Sequence, residues 1–172
     1  MPVYAIDDRV PTIDPEAFVH PMATIIGDVR IGPRSSIWPG AVLRGDYGTV
    51  VVGEATSIQD GAIIHATHEL DTIIGDWVVV GHLAHIEGAT VANCSLIGVG
   101  AVVLHRAVIG EGATAGAGSV ITNGMEVPAG ALAVGVPATI KPGRSNPELI
   151  ELSAKVYVDN CARYRTGMRR LD

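Results

Sequence analysis

Aliphatic residues recur along this chain at strict six-residue steps: Val19, Ile25, Ile31, Ile37 and Leu43. An irregular segment from Arg44 to Val51 interrupts the series, which resumes at Val52, Ile58 and Ile64. A polar stretch from His65 to Thr72 precedes Ile74, Val80 and Ile86. One five-residue step leads to Val91; then Ile97, Val103, Ile109, Ala115, Ile121, Val127 and a weaker Ala133 follow in register. Four residues after most of these markers stands a small residue, such as Ala23, Ser35, Ala41, Ala62, Ala84, Ser95 or Ala101. Directly after many of them comes Gly, as at positions 32, 53, 75, 81, 98 and 116.

An α-helix repeats every 3.6 residues and a half-buried strand every two, so neither gives six. Six residues make one short strand and one corner, and three such units close a triangular coil. Marker and small residue both point inward, and Gly relieves the tight corner. Successive coils stack at about 4.8 Å, the ordinary spacing of neighbouring strands. An antiparallel sandwich would need longer period-two runs with turn signals about every 8–12 residues. The pattern therefore predicts an all-β fold, a parallel β-helix of hexapeptide repeats over residues 1–140, as the body of a single domain. The repeat ends near Pro137, and Lys141 to Ser145 reads as a hinge. Asn146, Pro147 and Glu148 then supply an N-cap, a first-turn proline and an early acid. The expected C-terminal α-helix, 146–170, has Leu149, Leu152, Val156 and Tyr157 as its packing stripe.

One Phe against 21 Gly suits a narrow core of small and β-branched side chains. A formal charge of −6 repels polyanions and excludes nucleic acid or an anionic membrane as partner. Gly88 to His105 lacks charge, but Asn93, Ser95 and repeated glycines break it, so it is not a membrane span. Cys94 and Cys161 cannot build a disulfide framework, and no basic-then-apolar leader opens the sequence. Both point to the cytoplasm.

Leu43, Ile64, Ile86 and Val103 fall on one face of successive coils, so the residues after them should stack outside, near one corner. Those residues are Arg44, His65, Glu87 and Leu104. His65 and Glu87 then stand one coil apart, close enough to share a ligand. His82 follows Val80 on the neighbouring face, and one subunit cannot carry it round the corner. A packed neighbour could, which makes a subunit interface the natural place for a site. His85 is expected to point along its strand, and His20 and His105 read as ordinary surface histidines, although His105 follows Leu104 on the same face and could approach the column.

Leu43-Arg44-Gly45-Asp46, Ile58-Gln59-Asp60-Gly61, Ile64-His65 and Val80-Gly81-His82 together resemble the γ-class carbonic anhydrases and their relatives. The similarity runs from Ile13-Asp14-Pro15 through Val134-Gly135-Val136-Pro137-Ala138 into the helix. It implies a left-handed β-helix, a homotrimer, and zinc or iron bound once per subunit interface. It also implies hydration of carbon dioxide to bicarbonate by a metal-bound hydroxide. Carried over, His65 matches one metal ligand and His82 the ligand donated by a neighbour. The family's remaining histidine is replaced by Glu87, which leaves three readings open. Glu87 ligates, giving two His and one carboxylate; His85 reaches the metal instead; or the metal is lost and a structural relative remains. Gln59 resembles the residue that orients the bound water, Arg44 and Asp46 resemble an interface pair, and Asp60 joins their network. Tyr47 and His68 stand where the family has acidic proton shuttles, and His68 titrates in a suitable range. The competing class is CoA-dependent acyl transfer or thioester hydrolysis, known among other hexapeptide-repeat proteins.

Overall fold

The computed structural model describes residues 2–172. The chain winds into a left-handed parallel β-solenoid of about seven turns, with one C-terminal helix. Every marker of the six-residue series lies in register with its counterpart on the next coil. On the first face Val19, Ile37, Ile58, Val80, Ile97, Ala115 and Ala133 pair in sequence. On the second, Ile25, Leu43, Ile64, Ile86, Val103 and Ile121 do the same. On the third the run is Ile13, Ile31, Val52, Ile74, Val91, Ile109 and Val127. Side chains from all three faces meet along the axis, and the second-face markers are wholly buried.

The corner glycines work differently from the sequence expectation. The glycine after the marker needs no left-handed backbone; it is required by the coil above. A Cβ on Gly98 would stand 2.5 Å from the Ala117 backbone nitrogen, and one on Gly53 2.7 Å from the Gly75 carbonyl carbon. Left-handed corner positions are filled elsewhere and often by larger residues, among them Arg34, Ala55, Trp77, Leu83 and Cys94.

The irregular segment after Leu43 is no loop. Strand Val42–Val52 runs round a corner from the second face to the third, pairing with Thr24–Ile31 on either side of a bulge between Gly27 and Val29 that leaves residues 46–49 unpaired with it. Asp28 sits in that bulge, accepting from Arg30 Nε at 3.1 Å and Thr49 Oγ1 at 2.9 Å. Burial alone would raise its pKa, but those hydrogen bonds and the charges of Arg30 and Arg9 outweigh it, so the carboxyl is held below its usual value. A lowered folded pKa stabilises the fold above the unfolded value of about 4 and stops doing so as pH falls through the folded one. Asp28→Asn should therefore lower the urea midpoint at pH 7, by an amount that shrinks as the pH falls below about 4.

The helix, Pro147–Gly167, is capped by Asn146, whose side chain accepts from the Leu149 amide. It crosses the first face, where Phe18, Trp38, Tyr157, Cys161 and Tyr164 form an aromatic cluster beneath it. The buried stripe is Ile150, Ala154 and Cys161, while Leu149, Leu152 and Val156 are exposed. This corrects the expected packing face: the helix carries two apolar stripes, and the one holding the tyrosines meets the aromatic patch. Tyr157 alone of the expected four belongs to it.

Candidate metal centre at a solenoid corner

Arg44, His65 and Glu87 pair directly across three successive strands, so their side chains stack outside the second face as the register demands. His65 is the hub. Its Nδ1 lies 2.6 Å from Glu87 Oε1 and its Nε2 3.1 Å from Asp46 Oδ1. Arg44 donates to the other oxygen of Asp46. The arrangement is largely enclosed: the His65 side chain is 13% exposed and that of Asp46 16%. Burial would raise both carboxyl pKa values. For Asp46 the hydrogen bonds from Arg44 and His65 reverse that. For Glu87 the reversal comes from the His65 hydrogen bond and the charges of His65, His105 and His85.

Two histidines join this cluster, His105 as its place after Leu104 allows and His85 against expectation. His85 Nε2 lies 3.5 Å and His105 Nε2 3.4 Å from Glu87 Oε2. His85 does not point along its strand. Residues i and i+2 of a strand share a side, and His85 and Glu87 both project outward while Ile86 between them is buried. His105 Nε2 is buried without a hydrogen-bond partner. Sequence reading missed Thr72 altogether. Fully buried, it donates through Oγ1 to the His65 carbonyl at 2.5 Å and accepts from the Gly88 amide at 2.8 Å. It therefore ties together the strand ends that carry His65 and Glu87. Its only sequence signal is that it stands two before marker Ile74, at the inward small-residue position.

His82 and Asp60 lie elsewhere, at the opposite edge of the second face. His82 Nδ1 is 3.0 Å from Asp60 Oδ2. Asp60 thus leaves the Arg44–Asp46 network in which the sequence placed it. Gln59 is buried beside that edge. Tyr47 and His68 are both exposed, with ring centroids 5.8 Å apart. Among the described residues no group of three or more His, Cys, Asp or Glu within one chain is arranged to hold a metal ion. The expected set of His65, His82 and Glu87 is therefore not assembled in a single copy.

Between the two edges runs an outward strip of Val42, Ile63, His85, Val102 and Val120, in register and partly exposed. The helix covers the first face instead. No helix among the described residues is long and apolar enough to cross a membrane.

The bacterial transferase hexapeptide family (six repeats) matches residues 11–45. Over 170 residues the chain is 38% identical to carnitine operon protein CaiE of Salmonella typhi, covering 98% of this chain and 86% of that protein. It is 39% identical over 160 residues to the mitochondrial γ carbonic anhydrase 2 of Arabidopsis thaliana, covering 88% of this chain. The chain belongs to the γ-carbonic anhydrase-like family of hexapeptide-repeat proteins. It spans only 58% of the length of that Arabidopsis family member. A solved hexapeptide transferase family protein from Anaplasma phagocytophilum superposes with a TM-score of 0.90 at 37% identity, over 95% of this chain and 98% of that one. The hexapeptide-repeat solenoid is thus shared with curated and solved relatives over most of the chain.

Proposed function

We propose that this protein is a homotrimer that hydrates carbon dioxide reversibly at a metal centre shared between subunits, with zinc or iron as the ion. The observation that carries the reading is the placement of two half-sites at opposite edges of one partly exposed face. His65 with its carboxylates lies at one edge and His82 with Asp60 at the other. A cyclic assembly sets one edge of each copy against the opposite edge of the next. The apolar strip between them gives that contact its buried area.

The donor chemistry fits a borderline divalent cation: imidazole nitrogens and a carboxylate. The ion would be held by His65, a carboxylate beside it, and His82 of the partner subunit. The sequence assigns that carboxylate to Glu87. When bound, such an ion lowers the pKa of a water toward about 7 and makes hydroxide available near neutral pH. Asp60 stands 3.0 Å from His82 Nδ1, so Nε2 is the nitrogen left to ligate. Gln59, on the same edge, arrives with His82 and is placed to orient water. Carbon dioxide gains one oxygen and becomes bicarbonate, and one proton must leave. His68 beside Tyr47 accepts it at the exposed rim and returns it to solvent. Two free thiols suit a reducing compartment, the cytoplasm.

The test is metal content of untagged protein by elemental mass spectrometry, with stopped-flow carbon dioxide hydration. About one zinc or iron per subunit and a rate above background are expected. No metal after reconstitution with zinc and with ferrous iron would overturn the reading.

A second reading, acyl transfer from CoA, draws on the transferase named above and on a groove between helix and solenoid. That groove, about 400 Å³, is lined by Gln59, Val79, Leu96, Val99 and Tyr157. Saturable acetyl-CoA binding that survives metal removal would favour it.

A further inference from the structure

His65 meets a carboxylate at each ring nitrogen, and the two contacts differ. A neutral imidazole has one N–H to give. The contact to Glu87 Oε1, 2.6 Å at Nδ1, is the shorter and has the length of a charge-assisted hydrogen bond. It claims that hydrogen for Nδ1. Nε2 then presents a lone pair to Asp46 Oδ1 at 3.1 Å. That assignment is for the neutral, metal-bound imidazole; without an ion, a proton on Nε2 makes the same contact a hydrogen bond to Asp46. Donors that share a tetrahedral zinc stand about 3.3 Å apart, from bond lengths of about 2.0–2.2 Å. Arg44 occupies Oδ2 of Asp46 and leaves Oδ1 as the carboxylate oxygen on the Nε2 side of the ring. Glu87 instead meets the other ring nitrogen through Oε1, and its Oε2 faces the Nε2 atoms of His85 and His105 at 3.5 and 3.4 Å. Thr72 locks this relation by bonding the His65 carbonyl and the Gly88 amide together.

We propose that Asp46, not Glu87, is the carboxylate that ligates the metal beside His65 Nε2, and that Glu87 is a positioning residue holding His65 through Nδ1. The inference rests on the shared-metal reading above. It places the departure at position 87 outside the coordination sphere.

The experiment measures zinc affinity by competition with a chromogenic chelator, and the absorption spectrum of the cobalt(II) form. Wild type is compared with Asp46→Asn, Glu87→Gln, Glu87→Ala and His65→Ala, each checked for native circular dichroism and oligomer size. The amide oxygen of Glu87→Gln still accepts from Nδ1–H, so its affinity should stay within about tenfold and its cobalt spectrum should match wild type. Glu87→Ala should lose about 10–100-fold, the usual cost of removing an outer partner. Asp46→Asn should fall as far as His65→Ala. The reverse order overturns the proposal: Glu87→Gln as metal-poor as His65→Ala, with Asp46→Asn retaining zinc and the cobalt spectrum. Wild-type protein that binds no zinc or cobalt fails the shared-metal reading itself, with a proton rather than an ion between His65 and Asp46. The wild-type measurement alone separates that failure from a wrong ligand assignment.

Discussion

Ile64→Ala will destabilise the metal-free protein by about 2–5 kcal/mol, the range for removing a large aliphatic side chain from a closed core. Ile64 is wholly buried and stacked in register between Leu43 and Ile86. Coil spacing is fixed by ladder hydrogen bonds above and below, so neighbours cannot close on the void as a loosely packed helix could. For a chain of this size the loss corresponds to a fall in Tm of roughly 5–15 °C. Urea titration followed by circular dichroism is the better measurement, because stacked repeats need not unfold in one step. Ile64→Val keeps most of the volume and should cost only about 0.5–1.5 kcal/mol. Equal, small losses for both variants would mean that the coil relaxes around position 64 and that the axis is not close-packed there. Because Ile64 precedes His65, the alanine variant should also bind metal more weakly, through a displaced ring rather than a lost ligand.

The register of the coils was fully legible because a six-residue period leaves no freedom. A marker shifted by one residue would turn its side chain out of the core. That same register predicted the Arg44, His65 and Glu87 stack. What it left open were features set by packing across the fold. The helix has two apolar stripes, and only the aromatic cluster of Phe18 and Trp38, remote in sequence, decides which one is buried. Val42–Val52 reads as an interruption since it continues as one strand round a corner where other coils break. His85 was misdirected by counting from the hexad corner instead of alternating along the strand. Asp60 shares a motif with Gln59 but stacks on His82, one coil away at the same corner. Motif adjacency in sequence does not place two residues at one site in a solenoid; equal position in successive coils does.

Mixing two inactive variants should restore activity, because the half-sites lie at opposite edges of the same face. His65→Ala keeps an intact His82 edge, and His82→Ala keeps an intact His65 edge. On the proposed shared centre neither variant alone can complete a site, so each should bind little metal and hydrate carbon dioxide at background rate. Refolded together at equal amounts, the chains assort at random. A site is whole when the subunit giving its His65 edge is the His82→Ala chain and its neighbour is the His65→Ala chain. Each condition holds about half the time, so about a quarter of sites are intact in a cyclic assembly. Metal per subunit and hydration rate should each recover to about one quarter of wild type. Different affinity tags on the two chains establish that mixed oligomers have formed. If mixed oligomers form and neither quantity rises, His65 and His82 do not meet at one centre. A site built within each chain predicts that null result, since every chain in the mixture lacks one of the two histidines. The recovered fraction therefore tests the cross-subunit geometry separately from the chemistry, because metal occupancy reports it even where turnover is slow.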